Sequence, residues 1–384
     1  MVYADNAATT KMSRTAIDAM LPYMETHYGN PSSLYRLGQE AAEALQSARE
    51  TVAACLGCTP REITFTSGGS EADNQALISA ARIGERKGKK HIISTAFEHH
   101  AILHTLKQLE EEGFSVTLLP VSETGMVTPE AVQAAIRPDT CLVSVMFANN
   151  EIGTIEPVCE IGEIAHKHGI LFHTDAVQAM CHVPINVTEM NIDLLSASAH
   201  KFHGPKGVGF MYMKNTAKLE PFIHGGAQER ARRAGTSNVP GIVGMGQAVW
   251  LALSMRNYIV DRILGEIPDV TFDGPCIDAD VNDVSACCSP VCSLKRLPSN
   301  MHFCFKDVSG DSLLIMLDMN GICASSGSAC AAGSIDPSHV LLAIGRNSDE
   351  AKGALRLSID KDLTKEDADY AIDALKAAVA RLRG

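Results

Sequence analysis

Three residues in this chain carry reactive side chains in settings that favour their chemistry. Lys201 lies in Ser196-Ala-Ser-Ala-His-Lys-Phe-His-Gly-Pro-Lys206, directly after the apolar run Ile192-Asp-Leu-Leu195. A lysine among small residues at the end of a buried strand can be desolvated enough to lower its pKa, which an amine needs to form a Schiff base with an aldehyde. Cys330 lies near the middle of Gly321-Ile-Cys-Ala-Ser-Ser-Gly-Ser-Ala-Cys-Ala-Ala-Gly-Ser334. Such a glycine-serine-alanine loop buries little, so the thiol is expected to be accessible. Arg356 stands alone in the apolar strand Ala354-Leu-Arg-Leu-Ser-Ile359, which suits a bidentate carboxylate clamp or a structural ion pair.

The elements that must position these residues follow from periodicity. Glu62–Thr66 reads as a strand, Ser67-Gly-Gly-Ser-Glu71 as a turn and Ala72–Ile83 as a helix. Strand, glycine loop and helix N-terminus together make an anion site, with backbone N–H groups and the helix dipole facing the ligand. The spacing differs from the P-loop and the dinucleotide fingerprint. Further strands are expected over His91–Thr95, Phe114–Pro120, Cys141–Phe147, Ile170–Asp175 and Gly207–Met213, with helices between them. Near-continuous apolar strands alternating with helices predict an α/β fold with a mostly parallel sheet covered on both faces. Asn150, Asp175, Gln178 and Lys201 fall where strands end, and ligands bind at those ends.

Before this sheet, Ser13 is expected to cap a helix to about Tyr28, and a second helix spans about Tyr35 to Leu56. After it, one long helix is expected from about Gly241 to Ile267. The pattern then shortens, with a strand over Met301–Phe305 and a final helix from Thr364 presenting Ile372, Leu375, Val379 and Leu382 on one face. The expected division is a segment 1–12 that packs with a small domain, a large domain 13–255, and a small α+β domain 256–384 carrying the Cys330 loop.

Composition narrows the function classes. The 384 residues are enough for two domains. A net charge of −12 without a basic block disfavours nucleic acid. The uncharged stretch Val239–Met255 contains Pro240, three glycines and Gln247, so it reads as buried helix and not as a membrane span. The start Met1-Val-Tyr-Ala-Asp does not resemble a secretory signal, and the 12 cysteines are scattered. Reduced thiols and a cytoplasmic setting are therefore expected. Cys55-Leu-Gly-Cys58 reads as a helix end. Cys276, Cys287, Cys288 and Cys292 cluster in an aperiodic segment, but two are adjacent and no histidine lies among them, so no metal is assigned.

A Schiff-base lysine, a carboxylate for a ring nitrogen and a phosphate cradle are what pyridoxal phosphate requires. Lys201, Asp175 and the loop Ser67–Ser70 supply the three.

Further motifs stand in one order along the chain: Glu98-His99, Ala148-Asn-Asn-Glu151, His173-Thr-Asp-Ala-Val-Gln178, Ser198-Ala-His-Lys201, Arg233-Ala-Gly-Thr236 and Ser325-Ser-Gly-Ser-Ala-Cys330. Together they resemble the cysteine desulfurases of the NifS/IscS type, within the class V aminotransferases. The resemblance runs from Asp5-Asn-Ala-Ala-Thr9 to Leu355-Arg-Leu-Ser358. It implies a fold-type-I, pyridoxal-phosphate-dependent transferase with a seven-stranded large-domain sheet, acting as a homodimer. By the same resemblance, Lys201 would carry the cofactor, and Asp175 would keep its ring nitrogen protonated. Asn150 and Gln178 would sit near its phenolic oxygen, and His99 would stack on the ring and move protons. Gly69, Ser70, Ser198 and His200 would hold the phosphate, with Thr236 reaching in from the other subunit. Arg356, with Asn150, would bind substrate. The implied reaction takes sulfur from L-cysteine, leaving alanine and a persulfide on Cys330 for an acceptor such as an iron–sulfur scaffold. No resident metal is implied; Cys330 is a candidate only as a transient iron–sulfur ligand.

The chain departs from the family pattern at Ser70, where threonine is common, at Ala331-Ala332 and at His100. A selenocysteine lyase, or another class V lyase or aminotransferase, is the alternative on the same fold. A silent sulfur-relay or scaffold-binding protein is the alternative of another class, and intact Lys201, Asp175 and His99 speak against it.

Overall fold

The computed structural model describes residues 1–248, 255–275, 295–327, 337–360 and 362–384. Its strands are β1 (Val2–Tyr3), β2 (Ile63–Thr66), β3 (His91–Thr95), β4 (Ser115–Leu119), β5 (Thr140–Ser144), β6 (Leu171–Asp175), β7 (Leu194–Ser198), β8 (Gly209–Met213), β9 (Val270–Phe272), β10 (Asn300–Phe305), β11 (Ile322–Cys323) and β12 (Ala354–Ser358). Seven of them form one sheet in the order β2-β8-β7-β6-β5-β3-β4. Every neighbour pair from β7 to β4 is parallel; β8 runs antiparallel to both β7 and β2. This is the mostly parallel α/β sheet that the apolar strands predict. Strands β5, β7 and β8 are buried along their whole length, as a sheet covered on both faces requires.

The order of the sheet brings the carboxyl ends of β6 and β7 side by side, with Asp175 paired to Ser196. Gly209 lets the turn after β2 approach them. A Cβ there would stand 2.4 Å from the Ala197 carbonyl oxygen and 2.7 Å from Gly68 Cα, so only glycine fits.

Ser13 caps the first helix through a bond from the Ala16 N–H, and the helix spans Arg14–Glu25. It stops short of Tyr28 where the Thr26 N–H closes on Pro22 O. The next helix, Arg36–Leu56, ends at Gly57 in the left-handed region, φ +66°. Two helices, Val239–Gln247 and Met255–Glu266, stand where the sequence reads one. The Ala248 N–H turns back to Met245 O and closes the first of them, and residues 249–254 lie outside the described residues.

A second sheet, β12-β10-β9, is antiparallel. Helices Met255–Glu266, Gly310–Met319 and Lys365–Arg383 cover it through Ile263, Leu313, Leu317, Ile372, Leu375 and Val379. Strands β1, β9 and β11 escape the sequence reading because two or three residues carry no periodicity. The N-terminal segment joins the two layers. β1 pairs parallel to β11, Ser358 N–H donates to Ala4 O at 2.8 Å, and Thr10 N–H donates to His200 O at 2.8 Å. Among the described residues no helix is long and apolar enough to cross a membrane.

Candidate active site

A cavity of about 200 Å³ opens at the carboxyl ends of β6 and β7. Gly69, Ser70, His99, Asn150, Asp175, Gln178, Ser198, His200, Lys201 and Arg356 all line it. Residues spread over most of the sequence thus meet at one place, as strand-end ligand sites in α/β sheets do. Lys201 sits in the 3-10 turn Ala199–Lys201 that follows β7. Its Nζ donates to Ala7 O at 2.6 Å and Ala8 O at 3.0 Å. Gln178 Nε2 also donates to Ala7 O, at 3.0 Å.

Asp175 ends β6 in a buried position, and its Oδ1 accepts the Val177 N–H at 2.9 Å. Burial pushes its carboxyl up to about 6, against that bond and the charge of Lys201. At neutral pH it is therefore mostly ionised. Burial pushes two neighbouring acids toward the neutral form. Burial, and then the charge of Asp175, pushes Asp73 well above the usual carboxylate range. Burial pushes Glu98 up to about 8, although Thr95 Oγ1 and the Met146 N–H donate to its Oε1.

His99 caps the helix His100–Glu111, its Nδ1 accepting the Ala101 N–H at 3.1 Å. That bond leaves Nε2 to carry the proton of the neutral ring. Burial, and then Lys201, depresses His99 to about 4, so the ring is neutral at pH 7. His200 is likewise pushed down to about 4, by burial and Lys201, and its Nδ1 lies 3.1 Å from Thr9 Oγ1.

The helix Gly69–Glu85 starts at the cavity, and its N-cap, Gly68, provides no side-chain cap. The N–H groups of its first turn have no intrahelical partners. With Ser198 and His200 beside them they form a donor-rich, anion-seeking end. An amine, an ionised carboxylate and this cradle fit the aldehyde, ring nitrogen and phosphate of pyridoxal phosphate.

Arg356 is 1% exposed on β12. Its Nη1 donates to Asn150 O at 3.0 Å and its Nη2 to Asp5 Oδ1 at 2.8 Å, while Nε has no hydrogen-bond partner among the described residues. Thr236 lies apart, in a second cavity of about 150 Å³ with Ser67, Glu229 and Arg233. Cys330, and Cys276, Cys287, Cys288 and Cys292, lie outside the described residues. Cys55 and Cys58 flank the end of the second helix and form no disulfide.

Sequence reasoning missed Asp73 and the carbonyls of Ala7 and Ala8. Asp73 had one signal: a carboxylate on the same helix face as Ala72, Ala76, Leu77 and Ala80, all buried. The carbonyls had none, because backbone acceptors leave no mark in side-chain identity.

The aminotransferase class-V family model matches residues 2–371. The chain belongs to the class-V aminotransferases. It is 49% identical over 393 residues to the cysteine desulfurase IscS of Clostridium botulinum (strain Hall / ATCC 3502 / NCTC 13319 / Type A), covering all of this chain and 95% of that one. A solved NifS-like protein superposes with a TM-score of 0.87 at 35% identity, covering 99% of both chains. The structure titled SspA in complex with cysteine matches with a TM-score of 0.82 at 34% identity, over 94% of this chain and 99% of that one. For a class-V member, the lysine cavity at the strand ends is the candidate active site.

Proposed function

We propose that this chain is a cysteine desulfurase that uses pyridoxal phosphate to move sulfur from L-cysteine to Cys330, releasing L-alanine. The observation that carries the reading is the convergence of Lys201, Asp175, His99 and Arg356 on one cavity. The match to relatives named cysteine desulfurase supports the choice of substrate. Pyridoxal phosphate bound here supplies an electron sink for negative charge at the substrate Cα. Lys201 would hold its aldehyde, Asp175 its ring nitrogen, and Gly69, Ser70, Ser198 and His200 its phosphate. Asn150 and Gln178 would sit near its phenolic oxygen, and His99 would stack on its ring.

The protein's own residues then do four things. Arg356 exchanges Asp5 for the carboxylate of L-cysteine, using the Nε that lacks a partner among the described residues. Lys201, as a neutral amine, takes the Cα proton. The Cys330 thiolate attacks the substrate sulfur, so that an S–S bond forms while the substrate's Cβ–S bond breaks. His99 Nε2 and Lys201 return protons to the carbon skeleton. In balance, the Cys330 thiol and L-cysteine become the Cys330 persulfide and L-alanine. A second copy of the chain would complete the phosphate site with Thr236, and exposed Tyr28, Leu34 and Tyr35 supply apolar surface for it. An iron–sulfur scaffold protein is the proposed acceptor.

The test is alanine release from L-cysteine with a thiol reductant, for the native chain and for Cys330→Ala. Alanine from the first and almost none from the second is expected. Full activity in the variant, or turnover of selenocysteine alone, overturns the persulfide reading.

A further inference from the structure

A second cluster of reactive side chains lies in the small sheet, where His302 pairs across the strands with Arg356. Asp273 directly follows β9, and its N–H donates to His302 O at 2.9 Å. His302 and Cys304 are two apart on β10, so their side chains share a face of the sheet. All three are buried, at 1%, 0% and 5% exposure. Their donor atoms meet at one point. Asp273 Oδ2 lies 2.8 Å from His302 Nδ1 and 3.1 Å from Cys304 Sγ. One carboxylate oxygen, one imidazole nitrogen and one sulfur thus stand within 4.8 Å of one another. The other carboxylate oxygen, Oδ1, accepts Arg346 Nε at 2.7 Å, which turns Oδ2 toward the histidine and cysteine.

We propose that Asp273, His302 and Cys304 bind a divalent first-row cation, with zinc the best match to an O, N and S donor set. Ligands of a tetrahedral zinc, at roughly 2.0–2.3 Å from the metal, stand about 3.3–3.6 Å apart. The carboxylate oxygen needs to move only about half an ångström from the imidazole nitrogen and from the sulfur to meet that spacing. Arg346 acts as the outer partner that orients a ligating carboxylate. Binding releases the Cys304 thiol proton to solvent and moves the imidazole proton from Nδ1 to Nε2, so no redox partner is involved. A bound ion fastens the end of β9 and the Arg346 loop to β10. The role is structural, and it also steadies the strand that faces Arg356.

The test is cobalt titration of the reduced holoenzyme, read by the visible d–d bands of tetrahedral thiolate-bound cobalt. Zinc content after desalting is measured in parallel. One equivalent per chain is expected for the native protein and for Cys330→Ser. Affinity should fall about tenfold or more in Cys304→Ser and in His302→Asn. Less than a tenth of an equivalent in the native protein overturns the proposal, and that readout needs no variant to fold. A full equivalent retained by Cys304→Ser with its cofactor still bound also overturns it. So does loss of the metal in Cys330→Ser alone, which would place it on the other thiols.

Discussion

Arg49 and Arg356 are both buried arginines that face a carboxylate, yet their surroundings differ. Arg49 is locked bidentately: its Nη1 and Nη2 each reach Glu229 at 2.7 Å, Nη1 also donates to Ile63 O at 2.8 Å, and the guanidinium lies 4.3 Å from the centroid of Phe65. Glu229 in turn accepts the Phe65 N–H. This closed pair holds a turn in which Glu229, Arg230 and Ala231 all have positive φ, +47°, +59° and +60°. Left-handed backbone in three successive non-glycine residues persists only when its surroundings over-determine it. Arg356 has one carboxylate oxygen, one carbonyl and an Nε without a partner among the described residues. A buried arginine locked on both oxygens of one carboxylate holds structure together; one that grips a single oxygen beside a cavity has room to take another anion.

The largest effect expected from this contrast is on stability. Arg49→Met leaves Glu229 buried and unpaired, and should destabilise the chain by about 3–5 kcal/mol in chemical denaturation, with KM for cysteine unchanged in whatever folds. A stable variant would remove the distinction between the two arginines.

Asp175 belongs to the open side, and its stability effect should have the opposite sign. Its folded pKa, about 6, exceeds the unfolded value of about 3.9. Between those values the folded chain keeps a proton that the unfolded chain releases, so stability falls as pH rises through the window. In the cofactor-free chain, Asp175→Asn should therefore gain up to about 3 kcal/mol at pH 7, and the gain should shrink toward pH 4. The same variant should lose turnover. Thermal melts against pH, beside alanine assays, read both.

Arg356→Lys keeps the charge and loses the fork. KM for cysteine should rise by roughly 10–100-fold while the melting temperature moves little. A large loss of stability with unchanged KM would make Arg356 a second Arg49. The smallest effect is expected from Asp5→Asn, which weakens the competitor for Arg356. KM should change by no more than about fivefold, in the downward direction, as read by initial rates at low cysteine.

Much of the open side was legible in the sequence. Asp175 and Lys201 end or follow apolar strands, and Ser67–Ser70 joins a strand to a helix, so local patterning alone placed the three at one edge of a sheet. The partner of Arg356 was not legible, because Asp5 lies 351 residues away and no periodicity links them. Nor was Asp73, since an acid early in a helix ordinarily reads as a solvated residue near the positive end of the dipole. The long helix expected from Gly241 to Ile267 resolves into two described pieces. Gly246, where a Cβ would come within 3.1 Å of Ala48, serves close packing there and not helix continuity.

The N-terminal segment has a consequence for how the molecule is made. Asn6 and Ala4 exchange backbone hydrogen bonds with Ser358, and Ala7 and Ala8 receive the Lys201 amine. The segment Ala4–Ala8 therefore cannot settle until the strand that carries Ser358 has been made. The large sheet can form during synthesis, but the lysine stays uncovered on one side until the C-terminal sheet arrives. Such distant closure is slow. A half-made molecule then displays the Lys201 amine without the arginine that shares its cavity.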